Sequence, residues 1–357
     1  DLKDELRLAV RSRPSGETEI LRVAASEMTP IYSCGVFETC APVRFHKDNK
    51  RVYLITNRGN LNLIQLELLD PQTGQTRFVE ADPLKRVDFS GITISEVTDE
   101  PIVTVYNDEK PRLVWKDKSY EADYRRFQKE IPGAIVRIMS RTRDERLWLV
   151  SLMRDTEPGV AYLYDRKTRN LTLQYRLRER LPREHMAEMR AIRYASKDGL
   201  EVPAYLTLPK GVEPKKLPVV VFPHGGPWGR DGWNFNSFAQ FLANRGYAVL
   251  QPNFRGSTGY GKEFLNKGNN QWGEAMQDDI TWGVKHLIQE GIADPKRVGI
   301  MGISYGGYAT LAGLAFTPDL YAAGVDVVDP SNLLTLLDSI PPYWEAFRAT
   351  LYQRTGD

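Results

Sequence analysis

Apolar positions are arranged in two ways along this chain, and the change falls near residue 185. Before it, short alternating runs are separated by turn signals. Arg51 to Thr56 (RVYLIT) is followed by Asn57-Arg58-Gly59-Asn60, and a second run, Leu61 to Leu69, ends in Asp70-Pro71-Gln72-Thr73-Gly74. The pair recurs: Pro101 to Tyr106 leads into Arg112 to Trp115, and Arg146 to Ser151 leads into Ala161 to Tyr164 and the turn Asp165 to Asn170. The leading strands start about 45 to 50 residues apart, and a unit of several strands at that period marks a propeller blade. A β-sandwich also has short strands, but it does not repeat a two-run unit at this length. The pattern predicts about three blades, with a fourth over residues 1–45. Because a propeller closes with about four to eight, the chain is expected to start inside one.

Between Leu177 and Arg193 arginines at 178, 180, 183, 190 and 193 interleave with Glu179, Glu184 and Glu188. Mixed signs predict a solvated linker rather than an anion site, with His185 on its surface. Beyond it strands alternate with helices. The runs predict a hairpin of 191–195 and 202–208 about Lys197-Asp198-Gly199, then strands at 218–223, 248–252, 298–303 and 323–328. Helices are expected at 235–245, 277–289 and 308–316. Such alternation predicts a mostly parallel sheet with helices on both faces. The order is that of an α/β-hydrolase up to its sixth strand. The fold expected is therefore an α/β-hydrolase over 186–357, incomplete at its C-terminus, preceded by part of an all-β propeller over 1–185.

The chemistry concentrates in Arg297 to Thr310, RVGIMGISYGGYAT, where Gly302-Ile303-Ser304-Tyr305-Gly306 fits G-x-S-x-G. That strand-to-helix elbow exposes a serine hydroxyl at the carboxyl end of a parallel sheet, and its glycines avoid collisions with the neighbouring strand and helix. The apolar strand before it and the small-residue helix after it supply the context the motif needs. His224-Gly225-Gly226-Pro227 follows the third strand, where this fold supplies an oxyanion-hole amide; the second donor is the backbone N–H of Tyr305. His224 is read as bracing that loop rather than as a general base. Asn253-Phe254-Arg255-Gly256-Ser257-Thr258-Gly259-Tyr260-Gly261 lacks the lysine of a P-loop and follows the wrong strand for a dinucleotide fingerprint. It is expected to flank the mouth of the site.

With HGGP, NFRGSTGYG and GISYGGYAT in this order behind β-blades, the chain resembles the prolyl oligopeptidase family of serine peptidases, in its acylaminoacyl-peptidase and dipeptidyl aminopeptidase-like branch. The likeness runs over residues 190–345, with the blades agreeing more loosely. The resemblance implies Ser304 as nucleophile, Gly226 and Tyr305 as oxyanion donors, no cofactor and no metal, and short peptides as substrates admitted between propeller and hydrolase domain. Relatives more often carry glycine where Asp329 stands.

The chain departs from the family pattern in one respect. An α/β-hydrolase triad runs Ser, then Asp or Glu, then His, whereas all 4 histidines, at 46, 185, 224 and 286, precede Ser304. His286 is expected to face out of its helix. Asp319, Asp326, Asp329 and Asp338 follow the serine, but none after a seventh strand. The triad Asp and His are therefore expected beyond the end of the chain, which reads as truncated at both ends and inactive alone. A carboxylesterase on the same fold and a non-catalytic hydrolase-like binding module are the competing readings, since acyl transfer to serine does not distinguish ester from amide.

Composition adds exclusions. The 357 residues are 41% hydrophobic, enough for two cores, and 48 basic against 46 acidic residues leave a net charge of +2. That balance argues against nucleic acid or an anionic membrane as partner, and leaves room for a homo-oligomer. No run approaches the ~18 apolar residues of a spanning helix. The expected location is the cytoplasm, with periplasm or secretion the alternative because the first residue is Asp1. Cys34 and Cys40 are the only cysteines; they are read as free thiols, with one local disulfide as the other option.

Overall fold

The computed structural model describes residues 1–25 and 27–356. Its first half holds four antiparallel sheets, built from residues 8–34, 40–80, 89–115 and 135–176. The first and third have three strands, the second and fourth have four. Successive sheets share cores. Ile20 and Tyr32 of the first pack with Val52, Leu54 and Leu69 of the second; Tyr53, Leu66 and Leu68 pack with Phe89 and Tyr106 of the third; Ile102 and Val103 pack with Trp148, Val150 and Tyr164 of the fourth. This face-to-face succession is how propeller blades bury both faces of their inner strands. Val52–Thr56, Pro101–Asn107 and Leu147–Arg154 are those inner strands. Coverage on both sides explains their near-continuous apolar runs.

Four features of residues 1–193 differ from the sequence reading. Residues 61–64 do not extend the strand Gln65–Leu69; Asn62 instead accepts from the backbone N–H groups of Lys262 and Glu263, both at 2.8 Å, in the second half of the chain. Helix α1, Lys118–Glu130, was not anticipated, because only Tyr120, Asp123 and Phe127 of its largely polar sequence are buried. Asp117 caps it by accepting from the N–H groups of Ser119 and Tyr120. Cys34 and Cys40 form a disulfide rather than free thiols. Cys34 ends the first sheet and Cys40 opens the second, and the turn between them brings their Cα atoms to 6.0 Å. The charged linker is also less solvated than its composition suggests. Arg183 donates to the carbonyls of Leu177, Arg178 and Leu181, and Ala187 N–H donates to Gln240 at 2.9 Å.

The second half is one six-stranded sheet, whose strands are β1 (Met189–Ala195), β2 (Glu201–Thr207), β3 (Leu217–Val221), β4 (Ala248–Pro252), β5 (Ala293–Ile303) and β6 (Ala323–Val327), ordered 1-2-4-3-5-6. β1 and β2 are antiparallel, β2 pairs antiparallel with β4, and β4, β3, β5 and β6 run parallel. This is the α/β-hydrolase sheet. β5 starts earlier than expected because Ala293 already pairs with Leu217. Helices α2 (Ser237–Ala243), α3 (Lys262–Asn266), α4 (Ala275–Gln289), α5 (Tyr305–Phe316), α6 (Leu333–Asp338) and α7 (Glu345–Thr355) follow in chain order. Val219, Val221, Leu250, Val298 and Ile300 form the core with Met276, Ile280 and Val284 of α4 and Ala309 of α5. No helix among the described residues is long and apolar enough to cross a membrane.

Candidate active site

Ser304 stands between β5 and α5 with φ 58° and ψ −123°, a positive-φ conformation that an L-residue holds only under local constraint. The constraint is visible. Its N–H donates to Val327 O of β6 at 3.0 Å, while its carbonyl accepts from Gly307 and Tyr308 at 2.8 and 3.1 Å as the helix begins. The side chain is exposed, with the helix N-terminus behind it. A Cβ on Gly302 would overlap the Gly306 carbonyl, and one on Gly306 would overlap Pro223 O. Both glycines of the pentapeptide are therefore sterically required, which is the reason the elbow can turn so sharply.

The HGGP loop lies against the serine: a Cβ built on Gly225 would stand 3.0 Å from Ile303 O and 3.6 Å from Ser304 Cβ. Gly226 has φ +126° and is exposed. Among the described residues neither Gly226 N–H nor Tyr305 N–H donates to a protein acceptor. At the first position of a helix an unpaired N–H is the rule, and both groups are free to meet a ligand oxygen. His224 Nδ1 lies 2.8 Å from Gly225 O and Nε2 lies 2.8 Å from Ser257 Oγ. Desolvation pulls its imidazole down to about 4, and the charge of Arg230 acts in the same direction against the opposing contact with Gly225 O. A neutral ring with both nitrogens engaged has none left for the Ser304 hydroxyl.

The remaining histidines are elsewhere. His46 sits in a blade turn with Nδ1 3.1 Å from Asp48, and His185 is exposed in the linker. His286 does not simply face solvent, as its helix pattern suggests. It is half-buried, stacked 5.9 Å from the ring of Tyr194. Among the described residues no group of His, Cys, Asp and Glu could hold a metal ion.

The second glycine-rich loop, expected to flank the mouth, lies against the HGGP loop and also ties it to α4, to the β1–β2 hairpin and to a blade. Arg255 donates to Asp279 of α4 and to Asp198 of the β1–β2 hairpin. Thr258 N–H donates to Gly229 O at 2.9 Å beside the HGGP loop. Gly259 O accepts from Asp88 N–H of the third blade at 3.0 Å, and Arg230 donates to Asn107 O of the same blade at 2.7 Å. Burial raises the Asp88 carboxyl above its ordinary value, against its hydrogen bonds from Ile64 and Gly261. Ser257 and Asp88 escaped the sequence reading; the only signal for Ser257 was its place in the NFRGSTGYG run.

A sequence model of the family described as "Prolyl oligopeptidase family" matches residues 233–354, which include this loop and the elbow. Dipeptidyl aminopeptidase BIII of Pseudoxanthomonas mexicana is 38% identical over 364 residues, covering 99% of this chain and 52% of that protein. The chain belongs to the prolyl oligopeptidase family. A second family relative, dipeptidyl peptidase family member 6 of Caenorhabditis elegans, is 34% identical over 88% of this chain and 45% of its own length. Among solved structures, a Mycobacterium tuberculosis puromycin-hydrolyzing peptidase aligns with a TM-score of 0.74 at 22% identity, over 96% of this chain and 53% of that one. That likeness speaks for the fold. The chain spans about half the length of the curated relatives it matches.

Asp329 belongs to a crowded pair beneath the elbow helix. A Cβ on Gly307 would touch Asp326 Oδ1 and come within 2.7 Å of Asp329 Cβ. The Asp326 carboxyl is pushed from 3.8 up to about 6, by desolvation first and then by the hydrogen bond and charge of Asp329. An acid whose folded value exceeds its unfolded one contributes stability that is whole below about pH 3.8 and is lost as pH rises through about 6. Asp329→Asn removes the second charge. It is expected to raise Tm above about pH 6 and leave it unchanged below about pH 4. Coincident Tm profiles for the two proteins across this range would refute the pairing.

Proposed function

We propose that the complete protein is a serine peptidase that cleaves short peptides through an acyl-enzyme on Ser304. The N–H groups of Tyr305 and Gly226 take the developing oxyanion. One observation carries the reading: an exposed serine at positive φ on a glycine-flanked elbow, with Gly225 of the HGGP loop packed against it. In acyl transfer the serine oxygen attacks the scissile carbonyl, a base takes its proton, and the carbonyl oxygen gains the charge that two preorganised amides stabilise. This reading takes the base and its orienting carboxylate from outside the described residues; in its support, both His224 nitrogens are committed, and the other three histidines sit in a blade turn, in the linker and against Tyr194. On this reading the 357 residues alone are expected to show no enzyme-like turnover of peptides or activated esters. The names of the two relatives, dipeptidyl aminopeptidase and dipeptidyl peptidase, support peptides as the substrate class.

Blades set beside the mouth favour selection by size. The loop 253–261 is held at Gly259 and Gly261 by Asp88, and Lys262 donates to Asn57 O and Gly59 O at 3.0 and 2.6 Å, so blade and catalytic loops share one wall. On this reading substrate enters beside that wall. Given peptides from dipeptide to about fifty residues, unfolded casein and p-nitrophenyl esters, the complete enzyme is expected to cleave short peptides with a rate that falls steeply with length. Ester hydrolysis without peptide cleavage would replace this reading by a carboxylesterase on the same fold.

A further inference from the structure

We propose that Ser257 is a positioning residue for the oxyanion site: through His224 its hydroxyl fixes the Gly225–Gly226 peptide plane, and with it the direction of the Gly226 N–H. The inference rests on the reading of Ser304 and Gly226 given above, and goes beyond it by naming the device that sets the donor.

The argument is one of hydrogen-bond parity. Gly225 O can only accept, so the His224 nitrogen 2.8 Å from it, Nδ1, carries the proton. In a neutral imidazole Nε2 is then an acceptor, and the Ser257 hydroxyl at 2.8 Å must donate to it. Ser257 is fully buried, and its N–H is engaged by Phe254 O at 3.0 Å, so the hydroxyl is held where the ring needs it. Gly225 C=O and Gly226 N–H belong to one planar trans peptide and point in opposite directions. Holding the carbonyl on His224 therefore aims the N–H away from His224. Without that anchor, a plane between two glycines is free to rotate.

An aromatic stack sets the ring itself. His224 lies nearly parallel to Phe254, with centroids 4.4 Å apart and 16° between planes, and the other neighbour of Phe254 is Tyr305 at 5.3 Å. One fully buried ring thus stands between the two residues whose segments supply the oxyanion donors. Phe254 and Ser257 come from the same loop, which Arg255 anchors to Asp279 and Asp198. The loop acts as a template for the spacing and orientation of both donors.

The test uses the complete protein and three variants, Ser257→Ala, His224→Phe and the double variant, each checked for an unchanged Tm and for stoichiometric labelling of Ser304 by a fluorophosphonate. Ser257→Ala is expected to lower kcat about ten- to a hundred-fold with KM unchanged, because a displaced donor weakens transition-state rather than ground-state contacts. The double variant is expected to be no slower than His224→Phe alone, since Ser257 acts only through that ring. Should Ser257→Ala melt below the assay temperature, Ser257→Cys is read by the same kcat and KM split. A folded variant with wild-type kcat, or losses that add in the double variant, overturns the inference while labelled Ser304 leaves the peptidase reading standing. Absent labelling of Ser304 would remove that reading instead.

Discussion

Ser304→Ala is expected to abolish both covalent labelling by a fluorophosphonate and peptide turnover in the complete protein, a loss of roughly a millionfold, the scale seen when a triad serine is removed from another serine peptidase. The size follows from the chemistry. Without the oxygen there is no acyl-enzyme, and what survives is the acceleration that substrate binding and the oxyanion donors give to attack by water, about 10³ to 10⁴ over the uncatalysed reaction. Folding should be spared, since the side chain is exposed and the strained backbone is held by Val327 O and the start of α5, contacts that alanine keeps. Mass spectrometry of the labelled wild type should place the phosphonyl group on Ser304. Finding it on Ser257, Ser237 or any other serine, or retaining turnover in the variant, would take the nucleophile off the elbow.

The elbow was legible because its motif is local: Gly302, Ser304 and Gly306 fall within five residues, and Gly302 is required by Gly306 itself, whereas the collision that requires Gly306, with Pro223 O of the HGGP loop, is remote in the chain. The hydrolase strands were legible for a related reason. β3, β4 and β5 are buried in a parallel sheet and read as apolar runs, so 248–252 matched to the residue. In the blades only the inner strands carry such a run; the outer strands Thr76–Glu80 and Asn170–Arg176 are largely exposed and leave little pattern. Helix α1 escaped because three buried residues among thirteen make a weak stripe. The disulfide escaped because six residues of separation permit a bridge without requiring one. What the sequence could not display at all is partnership across the chain. Ser257 meets His224 at a separation of 33 residues, and Gly261 meets Asp88 at 173. Such contacts depend on the sheet order and on how the blades are placed against it.

Arg255 shows how much of the site depends on a contact of that kind, and Asp279→Ala is the substitution expected to cost the most stability. The Asp279 side chain is fully buried and the Arg255 side chain 7% exposed. The carboxylate accepts from Arg255 N, Nε and Nη2 at 2.8, 2.9 and 2.7 Å and from Ser196 Oγ at 2.5 Å. Removing it leaves the Nε and backbone N–H of Arg255 desolvated without an acceptor, and the buried guanidinium paired only with the exposed Asp198. Breaking a buried pair from one side costs about 3–5 kcal/mol, read as a lowered denaturant midpoint. Removing both charges is different: Asp279→Ala combined with Arg255→Met should recover part of the loss, because the buried cation left with only a surface carboxylate is gone. A single variant within about 0.5 kcal/mol of wild type would mean that the network does not hold the loop. The same variant should also slow turnover, since Phe254 and Ser257 flank Arg255 and lose their anchor with it. If Asp279→Ala is destabilised as expected yet keeps wild-type kcat at a temperature where it remains folded, then the loop stabilises the fold without setting the oxyanion donors, and template and scaffold are separate properties of the same nine residues, Asn253 to Gly261.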